Sequence, residues 1–215
     1  MHIPPILSVL LRLVVCLFAS LIVSRTAHAG LVHAYHLDNI SLTFNYSGTL
    51  GFQFTPQHDI TVKELGYYDF GLDGFPSGNP LVGIWDSIGN LIVSASVSSS
   101  DRLDEVFRFA SIADTVLQGG TSYVIGGHSA SEPVTDSRFS SMNFNSGIVP
   151  VEARALDTAG LFFPTFETPG RAFAAASFTF EGVPEPTTLL LSGTATIGCA
   201  WLLRRLRRNG RLDGQ

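Results

Sequence analysis

Four pairs of aromatic residues two positions apart, Phe44/Tyr46, Phe52/Phe54, Phe107/Phe109 and Phe178/Phe180, constrain this chain more than any other feature. Successive side chains of a β-strand point to opposite faces, so a period of two puts both members of a pair on one face. Between the pairs, short apolar or alternating runs recur every 8–15 residues, divided by Gly, Pro, Asn, Asp and Ser. Such punctuation predicts strands over 41–46, 51–54, 60–69, 81–85, 91–97, 105–109, 122–126, 138–143 and 171–180. Ser87-Ile88-Gly89-Asn90 fits a hairpin between two of them. Residues 110–117 are expected to hold a short turn or a single helical turn. No stretch between residues 30 and 182 sustains a 3.6-residue period. The expected fold is all-β, a jelly-roll-like β-sandwich.

The two ends of the chain differ from this middle. Leu13 to Val23 is an uncharged, predominantly apolar run, and Ala27-His28-Ala29 follows the small-x-small rule for signal-peptide cleavage. Residues 1–29 therefore read as a signal peptide, with an uncleaved N-terminal anchor as the alternative. At the other end, Val183-Pro184-Glu185-Pro186 cannot be helical, because two prolines flank the glutamate. An apolar, uncharged run follows over residues 187–203. As a helix it would be roughly 25 Å long, at the short end of what spans a bilayer. Arg204, Arg205, Arg207 and Arg208 then form a basic stop that holds residues 209–215 in the cytoplasm. The middle, residues 30–182, is the predicted ectodomain, about the size of one domain with one core.

This division matters for charge and redox chemistry. The middle holds 6 of the 13 Lys and Arg and 16 of the 18 Asp and Glu, 16 against 6, a net charge near −10. Such a surface is repelled by nucleic acid. Both cysteines, Cys16 and Cys199, lie in the terminal segments. The ectodomain thus has no disulfide, thiolate nucleophile or cysteine zinc site.

The segment 183–208 resembles the PEP-CTERM sorting tail of exported proteins of Gram-negative bacteria: Val-Pro-Glu-Pro, then Thr187-Thr188-Leu189-Leu190-Leu191 with Gly193, then the arginines. The resemblance implies an inner-membrane precursor that an exosortase recognises and cuts near Pro184–Pro186 after export. It also implies delivery to the envelope, the cell surface or an extracellular polysaccharide matrix, with exosortase, export machinery and polysaccharide as partners. An ordinary, permanent membrane anchor is the alternative. Residues 47–128, including Gly51-Phe52-Gln53-Phe54-Thr55 and Leu81-Val82-Gly83-Ile84-Trp85-Asp86, are similar to an uncharacterised sandwich family. That likeness implies a fold and no activity.

Within the ectodomain the chemical signals are diffuse. Asp69 and Asp73 share a Gly-rich loop, and with Asp86, if its loop folds back, they supply hard oxygens of the kind calcium takes, although the EF-hand spacing is missing and a plain acidic turn is the favoured reading. No other cofactor is expected. Tyr67, Tyr68 and Tyr123 are candidates for stacking on sugar rings if exposed, and core residues if not. Adjacent strand residues face opposite ways, so one of Tyr67 and Tyr68 is expected to point outward, whereas Trp85 is expected to be core. His33 and His36 lie near the start of the ectodomain. Neither Gly-x-Ser-x-Gly nor His-Glu-x-x-His occurs. The expected role is non-catalytic, structural or glycan-binding, against a secreted hydrolase.

Overall fold

A computed structural model describes residues 30–38, 42–76, 78–129, 133–137, 142–168 and 172–181. The segment expected to be a signal peptide, with Ala27 and Ala29, the tail with its expected helix, and the four arginines expected to form the stop lie outside the described residues.

The described residues are all-β, with no α-helix among them and one 3-10 turn at Phe70–Leu72. In chain order the strands are β1 (Leu31–His33), β2 (Tyr35–Leu37), β3 (Leu42–Asn45), β4 (Thr49–Pro56), β5 (Ile60–Tyr68), β6 (Leu81–Asp86), β7 (Leu91–Ser96) and β8 (Arg102–Asp104). They continue with β9 (Phe107–Leu117), β10 (Tyr123–His128), β11 (Pro133–Ser137), β12 (Met142–Phe144), β13 (Ile148–Leu156), β14 (Phe166–Thr168), β15 (Ala172–Ala174) and β16 (Ala176–Glu181). One sheet has the order β1-β16-β5-β9-β8 and a second the order β14-β13-β4-β10-β6-β7. Smaller sheets, β15-β11-β3 and β12-β2, complete the domain. The two large sheets pack on one another, β5 against β6, β10 against β16 and β7 against β9, an arrangement consistent with a β-sandwich.

The aromatic pairs supply much of the core. Leu50, Phe52 and Phe54 of β4 are fully buried, with Phe54 tilted on Phe178 at a ring separation of 5.0 Å. Tyr123, Ile125, Val82 and Ile84 join them from β10 and β6. Each large buried ring contributes about 1.5–3 kcal/mol through removal from water, and edge-to-face contacts add to that. Tyr35 makes two such contacts, with Phe52 and with Phe107, and donates its hydroxyl to the Ala176 carbonyl at 2.8 Å.

Two sequence expectations are corrected here. Residues 110–117 are not a turn: β9 runs unbroken to Leu117 and pairs with β5 throughout, apart from a register shift between Val62 and Glu64. Its outer half is weakly patterned because most of it is exposed or half-exposed, so burial imposes no alternation there. The strand expected over 105–109 begins instead at Phe107, because Glu105 sits in the turn after β8 at φ 54°. The strand expected over 138–143 is β12 only at its end, and residues 138–141 lie outside the described residues.

Candidate functional site

The three tyrosines proposed to contact sugar are all buried, which is a correction. Tyr67 and Tyr68 do point to opposite faces of β5, yet both faces are covered at that end. Tyr67 meets the edge of Phe75, at 6.0 Å between ring centres, whereas Tyr68 lies against Phe107 and Phe70. Tyr123 packs on Phe54, and its hydroxyl accepts the Gln118 N–H at 2.9 Å.

Trp85 is buried away from the main core, on the outer face of the six-stranded sheet. Ile84 faces inward, so Trp85 shares the outer face with its register partner Val124. Gly51, Gly126 and Gly83 stand side by side on three neighbouring strands of that face. The indole lies across the groove they leave, close enough that a Cβ on Gly83 would come within 3.0 Å of it. Phe163 covers it from the loop after β13, with ring centres 6.2 Å apart. His128 holds that loop: its Nδ1 bonds the Gly48 carbonyl at 3.1 Å and its Nε2 accepts the Gly160 N–H at 3.2 Å. Thr49 Oγ1 donates to the Gly160 carbonyl at 3.0 Å and accepts the Phe162 N–H at 3.1 Å.

The three aspartates proposed for calcium are engaged separately. Asp69 is fully buried, accepts Arg108 Nε at 2.7 Å, and accepts the Gly74 N–H on both oxygens at 3.1 and 3.2 Å. A guanidinium at that distance supplies the countercharge a cation would otherwise provide. Asp86 closes the hairpin, accepting Ile88 N–H, Asn90 N–H and Asn90 Nδ2 between 2.7 and 3.0 Å. The Asn90 side chain above all, with the turn's backbone N–H groups, holds the Asp86 carboxyl below its ordinary value against the opposing effect of desolvation. Asp73 terminates the 3-10 turn. Each acid is thus accounted for by turn chemistry or an ion pair.

Sequence reasoning passed over a group that the fold assembles. The register of β1, β16, β5, β9 and β8 places His33, Thr179, Glu64, Phe109 and Arg102 on one face of the five-stranded sheet. Gly66 makes room there, since a Cβ at that position would stand 2.4 Å from the Phe109 ring. Glu64, nearly buried, accepts Arg102 Nη2 at 2.6 Å and the Thr179 hydroxyl at 2.9 Å. Arg102 also pairs with Asp104 and lies over the Phe109 ring, 5.2 Å from its centre. His33 meets the edge of the same ring, and its Nε2 is 3.0 Å from Asp104 Oδ2. Arg102 foremost, with His33 adding to it, holds the Asp104 carboxyl below its ordinary value, against its partial burial.

His36 stacks on His33 with ring centres 5.2 Å apart, and its Nδ1 is 2.8 Å from Glu105 Oε1. One nitrogen of each imidazole and a Glu105 carboxylate oxygen lie within 4.8 Å of one another, the one such grouping of three among the described residues. The signal available in the sequence was a His-x-x-His spacing too common to carry weight, with its carboxylate 69 positions away.

No curated protein matches the chain. The family model for the PEP-CTERM protein-sorting motif matches residues 182–208, covering Val183, Pro184, Glu185, Pro186 and the four arginines of the stop. The tail is thus a PEP-CTERM sorting signal, which implies export of the chain to the cell envelope or surface and recognition by an exosortase.

Proposed function

We propose that the domain is a non-catalytic, structural module of the cell surface or extracellular matrix, built on a jelly-roll-like sandwich and released from an inner-membrane precursor by removal of its tail. The observation that carries this reading is the sorting motif at residues 182–208. The economy of the domain supports it. Tyr67, Tyr68, Tyr123 and Trp85 are consumed in packing, Asp69 is neutralised by Arg108, and His128 is spent on two backbone groups. Successive strands that cross between the sheets, β4 to β5, β5 to β6 and β9 to β10, support the jelly-roll frame.

Intact mass of the protein from envelope and medium fractions tests the processing. A species from Gly30 to Pro184–Pro186 is expected, and replacement of Pro184, Glu185 and Pro186 by alanine should leave the tail in place. A wild-type species that keeps residues 187–215 would make the tail a permanent anchor and overturn the sorting step.

A glycan-binding role is the second reading. The aromatic side chains open to a sugar ring on the loop and strand after β13 are Phe162 and Phe166, 52% and 65% exposed. Retention of the protein by the native polysaccharide, lost in a Phe162→Ala/Phe166→Ala double variant, would establish that role. Equal retention of the variant would remove it.

A further inference from the structure

We infer that His33, His36 and Glu105 form a binding site for a divalent transition metal of the zinc class, which would clasp β1–β2 to the turn between β8 and β9.

The donor set is the first argument. Two imidazoles and one carboxylate suit zinc and its neighbours, whereas calcium and magnesium take oxygen ligands almost throughout. The three donor atoms already lie within 4.8 Å of one another. Ligands on a tetrahedral zinc, at about 2.0–2.2 Å from the ion, stand roughly 3.3–3.5 Å apart. The remaining contraction is small, and the side chains that must supply it are the exposed ones. His36 and Glu105 are 46% and 43% exposed, so both have room to rotate.

The second argument is independent of proximity. His33 is nine-tenths buried, and its Nδ1 makes no hydrogen bond. A buried imidazole nitrogen without a partner costs free energy that the protein alone does not recover. Meanwhile Asp104, fixed by Arg102, faces Nε2 of the same ring. A carboxylate bonded to one nitrogen of a histidine is the usual device that orients the ring and sets its tautomer for metal binding. Asp104 is thus the positioning residue, and Arg102 positions Asp104.

The third argument concerns what such a site would join. β1 and β8 are the two edges of the five-stranded sheet. In a cysteine-free domain, a bound ion is the remaining covalent-like link that can tie such distant segments together.

The test is titration of the untagged full chain, purified metal-free in detergent, with Zn2+ in a calorimeter and with Co2+ followed by its visible absorption. One Zn2+ per chain is expected, undisturbed by excess Ca2+, with Co2+ giving the spectrum of a site with nitrogen ligands. The exposed variants His36→Ala and Glu105→Gln, which the fold tolerates, should each weaken binding at least about tenfold, and Asp104→Asn about tenfold or more. The remote His58→Ala should leave it unchanged. Absence of stoichiometric Zn2+ binding, or binding equal in His36→Ala and wild type, would overturn the assignment and leave two ordinary imidazole–carboxylate pairs.

Discussion

Replacing Arg108 by alanine should destabilise the domain by about 3–5 kcal/mol, the cost of stranding a buried charge. The structure sets the size. Asp69 has no exposed side-chain surface, Arg108 is only 13% exposed, and Nε stands 2.7 Å from Oδ2. With the guanidinium gone, Asp69 keeps the Gly74 N–H alone, and Arg108 Nη1 no longer reaches the Asp101 carbonyl. An exposed pair would contribute under about 1 kcal/mol, so the two cases are well separated. For a domain of this size each kcal/mol lowers Tm by roughly 2–4 °C, which places the expected fall on the order of 10 °C. Urea unfolding of the processed protein, followed by Trp85 fluorescence, measures it. Asp69→Asn supplies the control, because asparagine retains an acceptor for Gly74 but carries no charge. The double variant Asp69→Asn/Arg108→Ala should therefore be more stable than Arg108→Ala alone. An Arg108→Ala midpoint within about 1 kcal/mol of wild type, or strict additivity of the two changes, would show that water screens the pair and would refute this account.

Two further predictions address the aromatic framework. Burial pushes the Tyr35 hydroxyl well above its ordinary value of 10.0, with the Ser177 side chain acting in the opposite direction. The folded state then holds this proton more tightly than the unfolded state, so the stability it confers is complete below about pH 10 and declines as pH rises beyond it. Tyr35→Phe should cost about 1 kcal/mol at pH 7 through the lost bond to Ala176, and should flatten the urea midpoint between pH 9 and 11; an equally steep alkaline decline in the variant would assign it to other groups. Phe163→Ala should uncover Trp85, shift its emission to the red and cost about 0.5–1.5 kcal/mol beyond lost area, with the emission spectrum as the direct readout.

What could be read from the sequence follows from how locally each feature is determined. The aromatic pairs announced β3, β4, β9 and β16 because burial of one face writes a period of two into the sequence. The hairpin at Ser87–Asn90 was equally legible, since Asp86, Gly89 and Asn90 carry the turn within five residues. Residues 110–117 were not, because an exposed strand held by backbone bonds to β5 needs no particular pattern. The alternation rule was correct for Tyr67 and Tyr68 but could not tell that both faces were covered. The acids of the Gly-rich loop misled for a related reason: the group that satisfies Asp69 lies 39 positions away. His33, His36 and Glu105 are an equally non-local set, joined only once β1, β2 and the β8–β9 turn are in place.

The charged residues of the β8–β9 hairpin share one physical role that their modest number conceals. Arg102 reaches Glu64 on β5, and Arg108 reaches Asp69 just beyond the end of β5. Both links therefore measure the position of β9 along β5, at points well separated on the strand. Aromatic packing measures it poorly, because one large ring can replace another. A slip of one residue would carry Arg108 to the opposite face, and Asp69 would be left buried and unpaired at a cost of several kcal/mol. The arginine fork strengthens this discrimination, since a guanidinium that uses two nitrogens on one carboxylate, as Arg102 does with Nε and Nη2 on Glu64, tolerates little displacement. In a domain without disulfides, these pairs contribute less to total stability than the rings do, and more to the exclusion of neighbouring registers.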